Sequence, residues 1–121
     1  MRTRKLSEHR YAKCAFYVDS VYTGKWGYIE EEGMISYSTK IIIIRGDRVI
    51  YTGKYSRTTS KQMTWWLKEF GELVNHAPLD LMFKEHLAYD RKTGELMPLT
   101  EQEEREIKAI RKAAFRWGYG W

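Results

Sequence analysis

The stretch KIIIIRGDRVIY, residues 40–51, decides the fold of this chain. Ile41–Ile44 are four consecutive β-branched residues, and such side chains favour a pleated surface that other residues cover. Arg45–Arg48 contains glycine and aspartate, which are typical of turns, and it separates this run from Val49–Tyr55, the predicted second strand. The stretch therefore predicts a β-hairpin within a buried sheet.

Further strands are predicted on the N-terminal side of this hairpin. Residues 14–22 are rich in β-branched and aromatic side chains and predict one strand. Trp26–Glu31 and Met34–Thr39 predict two short strands that flank a turn at Glu32–Gly33. Residues 1–10 form a polar, mostly basic leader that we expect to stay loose unless a partner orders it.

Helical patterns begin after the hairpin. Thr59–Gln62 has the spacing of a capping box, and apolar residues recur at three- and four-residue steps from Met63 to Val74, so a helix is predicted that closes at Pro78. Leu79–Tyr89 predicts a short helix, and Asp90–Gly94 predicts a turn.

A second capping box, Thr100–Glu103, opens a final helix that is predicted to run to about Trp117. The fold class is therefore α+β, with an antiparallel N-terminal β-sheet, about residues 12–57, followed by C-terminal α-helices, about residues 59–117. With 121 residues, the chain is predicted to form a single domain, residues 1–121.

Composition limits the compartment and the class of partner. Cys14 is the single cysteine, so neither an internal disulfide nor a cysteine-rich zinc site is expected. The N-terminus lacks the apolar run of a secretory signal and no stretch of 18 apolar residues occurs, so a cytoplasmic protein is expected. The net charge of +5 is consistent with an anionic partner and equally with ordinary solubility.

The final helix is predicted to separate its apolar and basic residues. At 100° per residue one side carries Ile107, Ile110, Ala114 and Trp117, and the opposite side carries Arg105, Lys108, Lys112 and Arg116, with Arg111 at the flank. Two interpretations are open. The bases could complement the helix dipole near its C-terminal end, or they could bind phosphate, with arginines orienting it and lysines supplying charge.

Aromatic residues are concentrated at Phe115–Trp121. They could stack on nucleic-acid bases or dock on the core or on a second subunit of a homo-oligomer, and we favour the subunit contact.

Two resemblances bear on function. Tyr55–Met63 and Phe16–Ser20 resemble the strand-to-helix segment and the first strand of ribonuclease H, and the match covers roughly residues 14–74. The resemblance assigns Asp19 to the first metal-binding carboxylate. Thr64, however, stands where the family has a glutamate, so two-metal hydrolysis is not supported.

The layout of sheet, helices and basic final helix is also similar to small phage proteins that counter Thoeris defence by sequestering cyclic nucleotide signals. That resemblance implies a symmetric oligomer that holds phosphates with basic side chains and a base with an aromatic ring. It would assign phosphate contacts to Arg57, Lys108, Arg111 and Lys112, and stacking to Phe83 or Tyr89.

No other arrangement of residues points to catalysis. The three histidines lack a metal-ligand spacing, Cys14 is expected to be a buried, inert thiol, and Glu30–Glu32 is expected to be a solvated turn. We therefore expect no enzyme, no metal and no cofactor. The leading hypothesis is a nucleotide-sequestering protein of the host-cell cytoplasm, and the alternatives are a nucleic-acid or nuclease-binding inhibitor and a ribonuclease H-like nuclease. The candidate ligand-binding residues are Arg57, Phe83, Tyr89, Arg105, Lys108, Arg111, Lys112 and Arg116.

Overall fold

A computed structural model describes residues 1–5, 14–22, 24, 27–53, 55 and 57–115, and only the backbone of Lys5. The elements in chain order are β1 (Arg2–Lys5), β2 (Cys14–Tyr22), β3 (Tyr28–Ser36), β4 (Thr39–Arg45), β5 (Arg48–Tyr51), α1 (Arg57–Phe70), a 3-10 helix (Gly71–Val74), α2 (Leu79–Glu85), β6 (Leu87–Asp90), β7 (Leu96–Pro98) and α3 (Glu101–Ala114). Within these ranges seven strands form one antiparallel sheet in sequential order.

The predicted fold class is confirmed, and so is the hairpin that decided it. Arg45 pairs with Arg48 across the turn, and Ile43 pairs with Ile50. Ile41–Ile44 are all at most 1% exposed. The sheet nevertheless takes up two strands, β6 and β7, from the region that was predicted to be helical.

The sheet has two faces that are covered differently. Residues directly opposite each other in an antiparallel pair point to the same side, so the strand register shows which residues share a face. Met34, Ile42 and Tyr51 are aligned across three strands and belong to the main core. Arg45 and Arg48 are paired in the alternate positions of β4 and β5, so they point to the second face.

The main core is closed by the helices that follow β5. Trp66 and Phe70 of α1 and Met82 of α2 are buried in it, with Met63 and Leu67 packed against it. The predicted apolar stripe of the first helix is therefore confirmed.

The predicted turn at Glu32–Gly33 is wrong, because β3 runs through it without a break from Tyr28 to Ser36. Gly33 instead allows the backbone of β3 to approach the backbone of β4 closely. A Cβ at Gly33, whose φ is +148°, would overlap the Ile42 carbonyl oxygen and lie 2.8 Å from its carbonyl carbon. Glycine is the residue that permits such contact between backbones.

The predicted start and end of the first helix are also wrong. The helix begins at Arg57, so Thr59 and Gln62 lie inside it and are buried. Gln62 faces the sheet, where its Oε1 accepts a hydrogen bond from Ser36 Oγ. The α-helix ends at Phe70 and continues as the 3-10 turn, well before Pro78.

Two other expectations need correction at the residue level. The N-terminal leader is ordered at least in part, because Arg2–Lys5 pairs with β2, whereas residues 6–10 lie outside the described residues. The predicted helix Leu79–Tyr89 ends at Glu85, where His86 adopts a left-handed conformation with φ 56°, and β6 follows. The predicted turn Asp90–Gly94 is confirmed, since the Gly94 N–H donates to the Asp90 carbonyl at 2.7 Å.

Candidate ligand-binding groove between α2 and α3

The start of α3 is fixed by the predicted capping box, which is confirmed. Thr100 Oγ1 accepts a hydrogen bond from the Glu103 N–H at 3.1 Å, and Glu103 Oε1 accepts one from the Thr100 N–H at 2.8 Å. This reciprocal pair satisfies two backbone donors that the first turn of a helix leaves open.

Acidic side chains of α3 bind the arginines of the second sheet face. Arg48 Nε and Nη2 donate to the two Glu103 carboxylate oxygens at 2.6 Å each, and Arg45 Nη2 lies 2.6 Å from Glu106 Oε2. Burial would raise the pKa of Glu103, but the hydrogen bonds from Arg48 and the Thr100 N–H outweigh it and lower that pKa. Bidentate, charge-assisted contacts of this kind fix geometry as well as adding energy.

The expectation that Glu30–Glu32 is a solvated turn is wrong, because all three residues lie in β3 and Glu31 is buried. Its side chain is 0% exposed and lies in ion pairs with Lys40 and Arg45. Arg45 thus joins Glu31 of β3 to Glu106 of α3. The helix is tied to the sheet through a chain of alternating charges.

Arg111 is held among aromatic rings at the other end of α3. Its guanidinium carbon lies 5.0 Å from the ring centre of Tyr55 and 5.2 Å from those of Phe83 and Phe115. Its Nη1 donates to the Thr52 carbonyl at 3.2 Å. Cation–π contacts and this hydrogen bond fix the position of the side chain, so Arg111 forms part of the wall of a site.

A groove of about 470 Å³ lies between α2 and α3. Its lining comprises Tyr51, Met82, Phe83, His86, Leu99, Glu101, Glu104, Arg105, Ile107, Lys108 and Arg111. The volume is within the range of small-molecule sites, and such sites combine apolar walls with a few polar groups.

The groove brings together four of the candidate residues, namely Phe83, Arg105, Lys108 and Arg111. Three others do not line it. Tyr89 is 8% exposed and part of the main core, Arg57 is the exposed first residue of α1, and Lys112 is exposed on α3. Arg116 lies outside the described residues.

Arg105 and Lys108 differ from the basic residues that pair with carboxylates elsewhere in the fold. Arg4, Arg45, Arg48, Arg91 and Lys40 are each engaged by a carboxylate. Among the residues that the structure describes, neither the Arg105 nor the Lys108 side chain forms a hydrogen bond or an ion pair. The groove therefore contains two cations whose charge the described part of the chain leaves available to a ligand.

The candidate residues from the sequence did not include the other seven lining residues, which are Tyr51, Met82, His86, Leu99, Glu101, Glu104 and Ile107. A signal for Glu101 and Glu104 was present, because Glu101 lies four residues before Arg105 and Glu104 lies four residues before Lys108, so each acid shares a helix face with a candidate base. Tyr51 and His86 come from distant segments and carried no such signal.

Asp19, the residue assigned by the ribonuclease H resemblance, is bound to other groups of the chain. Its carboxylate lies 3.4 Å from Lys40 Nζ and 3.7 Å from the N-terminal amino group. Burial would raise its pKa, but the attraction of Lys40 and the Ser20 N–H outweigh it and lower that pKa. Thr64 Oγ1 donates to the Ser60 carbonyl.

Three further features concern the cysteine, metal binding and membrane insertion. Burial raises the pKa of the Cys14 thiol to about 12, so the thiolate is scarce at neutral pH. Across the described ranges, histidine, cysteine and carboxylate side chains nowhere gather in threes as a metal ion would need. The same ranges contain no helix with the length and apolar character required to cross a membrane.

No protein-family model, curated protein or solved structure matches this chain significantly. Both resemblances therefore stay predictions.

Proposed function

We propose that this chain is a non-enzymatic binding protein that holds a cyclic or other phosphate-bearing nucleotide in the groove between α2 and α3. The observation that carries the proposal is the pair Arg105 and Lys108, which have no ionic partner among the described residues and face a groove with an aromatic opposite wall.

The chemistry of the two walls matches that class of ligand. An arginine can bind two phosphate oxygens at once, and a lysine adds point charge. Phe83 on α2 is 37% exposed and lines the groove, so a base can pack on its ring, a contact worth about 1–3 kcal/mol in nucleic-acid complexes. The net charge of +5 raises the local concentration of anions.

The biological role follows from binding without chemistry. A protein that takes up a nucleotide signal and releases it unchanged lowers the concentration that a receptor can sense. This is the sponge role that the resemblance to the anti-Thoeris phage proteins implies, together with a homo-oligomeric state and a place in the cytoplasm of the host cell.

A charge-matched pair of variants tests the groove. The protein is incubated with a pool of cyclic and linear nucleotides and washed, and the ligands released by heating are identified by mass spectrometry. We expect intact nucleotide from the wild type. Lys108→Ala should weaken binding about tenfold or more, because a hydrogen bond to a charged group contributes about 1.5–3 kcal/mol. Lys112→Ala removes the same charge from the same helix outside the groove and should bind like the wild type.

Two results would contradict the proposal. A hydrolysed product in place of the intact nucleotide would indicate an enzyme. Equal loss of affinity in the two lysine variants would mean that binding depends on the charge of the helix and not on the groove.

One observation favours a second candidate, a nucleic-acid or nuclease-binding inhibitor. Lys112 is exposed and continues the line of Arg105 and Lys108 beyond the groove, as a surface for an extended polyanion would require. For RNA the logarithm of the association constant should fall with the logarithm of salt concentration at a slope of about −0.7 per phosphate contacted. A slope steeper than about −4 in a filter-binding series would favour this candidate, whereas a mononucleotide should give a shallow one.

A further inference from the structure

The lining of the α2–α3 groove changes sign along α3. Glu101 and Glu104 lie at the N-terminal end of the helix, and Arg105, Lys108 and Arg111 follow toward its C-terminal end. Glu101 and Lys108 are seven residues apart, which is about 10 Å along the axis. A ligand that fits this polarity carries hydrogen-bond donors at one end and negative charge at the other.

Of the two acids at that end, Glu104 has a partner within the chain and Glu101 does not. His86 Nδ1 lies 3.3 Å from Glu104 Oε1, so His86 on the opposite wall already engages Glu104. Glu101 is exposed and, within the described parts of the chain, makes neither a hydrogen bond nor an ion pair through its carboxylate. An ionised carboxylate only accepts hydrogen bonds, so Glu101 can select for donors on a ligand.

We infer that the groove takes a guanine nucleotide, with the guanine edge on Glu101 and the phosphate on Arg105 and Lys108; this inference rests on the proposed function. Guanine presents two adjacent donors, N1–H and the 2-amino group, which match the two oxygens of one carboxylate. The base would pack on the part of Phe83 that Arg111 leaves uncovered, since Phe83 is 37% exposed on the α2 wall.

The other common bases fit this end of the groove less well. Adenine and cytosine each present a single amino donor beside a ring nitrogen that accepts, and that nitrogen would face the carboxylate. Uracil presents one N–H between two carbonyl oxygens. Hypoxanthine keeps the N1–H of guanine and lacks only the 2-amino group, which makes inosine nucleotides the closest control.

Isothermal titration of the full chain with the 5′-monophosphates and 3′,5′-cyclic monophosphates of guanosine, inosine, adenosine, cytidine and uridine tests the inference. We expect the guanosine forms to bind at least about tenfold more tightly than the inosine and adenosine forms, as is usual for loss of a good bidentate base contact. Glu101→Gln should abolish that preference while adenosine nucleotides bind as well as before or better. Glu85→Gln, an exposed residue of α2 outside the groove lining, should keep the preference.

Each outcome separates the two proposals. Equal affinity for all five bases, or a guanosine preference that persists in Glu101→Gln, would overturn the guanine inference and leave nucleotide binding standing. Binding of none of these nucleotides would overturn the guanine inference, and the proposed function would fall as well only if the pooled nucleotides also gave no bound ligand.

Discussion

Glu31 shows most clearly what single residues contribute to this fold. It stands in a run of three glutamates, and a run of acids is typical of a solvated surface. Strand alternation places Glu31 on the second face, where Lys40 and Arg45 flank the isoleucine run of β4. Its burial depends on the register of β3 against β4, and register is not visible in the local sequence.

Replacing Glu31 with glutamine should be strongly destabilising. Removing one partner of a buried ion pair leaves an uncompensated charge and typically costs about 3–5 kcal/mol. We expect a loss of about 3 kcal/mol in the free energy of unfolding. This is the lower end of that range, because Arg45 keeps its ion pair with Glu106. Urea denaturation followed by circular dichroism measures it.

The neighbouring Glu30→Gln provides the control, because Glu30 is exposed and should change the free energy of unfolding by less than about 0.5 kcal/mol. Similar effects of the two substitutions would argue against a stabilising role for the ion pairs of Glu31 with Lys40 and Arg45.

At the scale of elements, the sequence predicted that α3 forms but not where it packs against the sheet. Its capping box and helical period were visible in the sequence, and the structure confirms both. The sequence did not show that Glu103 and Glu106 would bind Arg48 and Arg45, because those contacts join residues 55 and 61 positions apart. The strands β6 and β7 were missed because they span only four and three residues, too few to show a period.

The pair Glu103–Arg48 should make stability depend on pH in the acid range. The pKa of Glu103 is lowered in the folded state, so its contribution is present above the unfolded glutamate pKa of about 4.3 and is lost as pH falls through the folded value. The difference in free energy of unfolding between the wild type and Glu103→Gln should therefore be constant above about pH 5 and shrink below about pH 4.

Urea denaturation of both proteins between pH 2.5 and pH 7 measures this difference. Leu81→Ala, an exposed and non-titrating change on α2, should differ from the wild type by the same amount at every pH. A difference for Glu103→Gln that stays constant down to pH 2.5 would contradict the role of the ion pair.

At the scale of the whole molecule, the α+β class was predictable because the decisive stretch is strongly patterned on its own. Ile41–Ile44 and Val49–Tyr51 are β-branched or aromatic throughout, and helical spacing begins soon after them. The groove was only partly predictable. Its basic wall comes from one helix, whereas Tyr51, His86 and Leu99 reach it from three other places in the chain.

The chain should unfold as one unit. The main core contains residues of β2, β3, β4 and β5, of all three α-helices and of β6, so few contacts would survive the loss of any one element. Midpoints of urea denaturation from tryptophan fluorescence and from far-ultraviolet circular dichroism should coincide. A separate early transition in one signal would contradict the predicted single domain.

The Arg111 guanidinium is packed among Tyr55, Phe83 and Phe115, so it has little freedom to change its rotamer when a ligand binds. Because that end of the groove is already in its ligand-binding shape, binding should occur in one step with no slow rearrangement afterwards. Observed rates in rapid mixing should rise linearly with ligand concentration, and differences in affinity among ligands should arise mainly from how long each one stays.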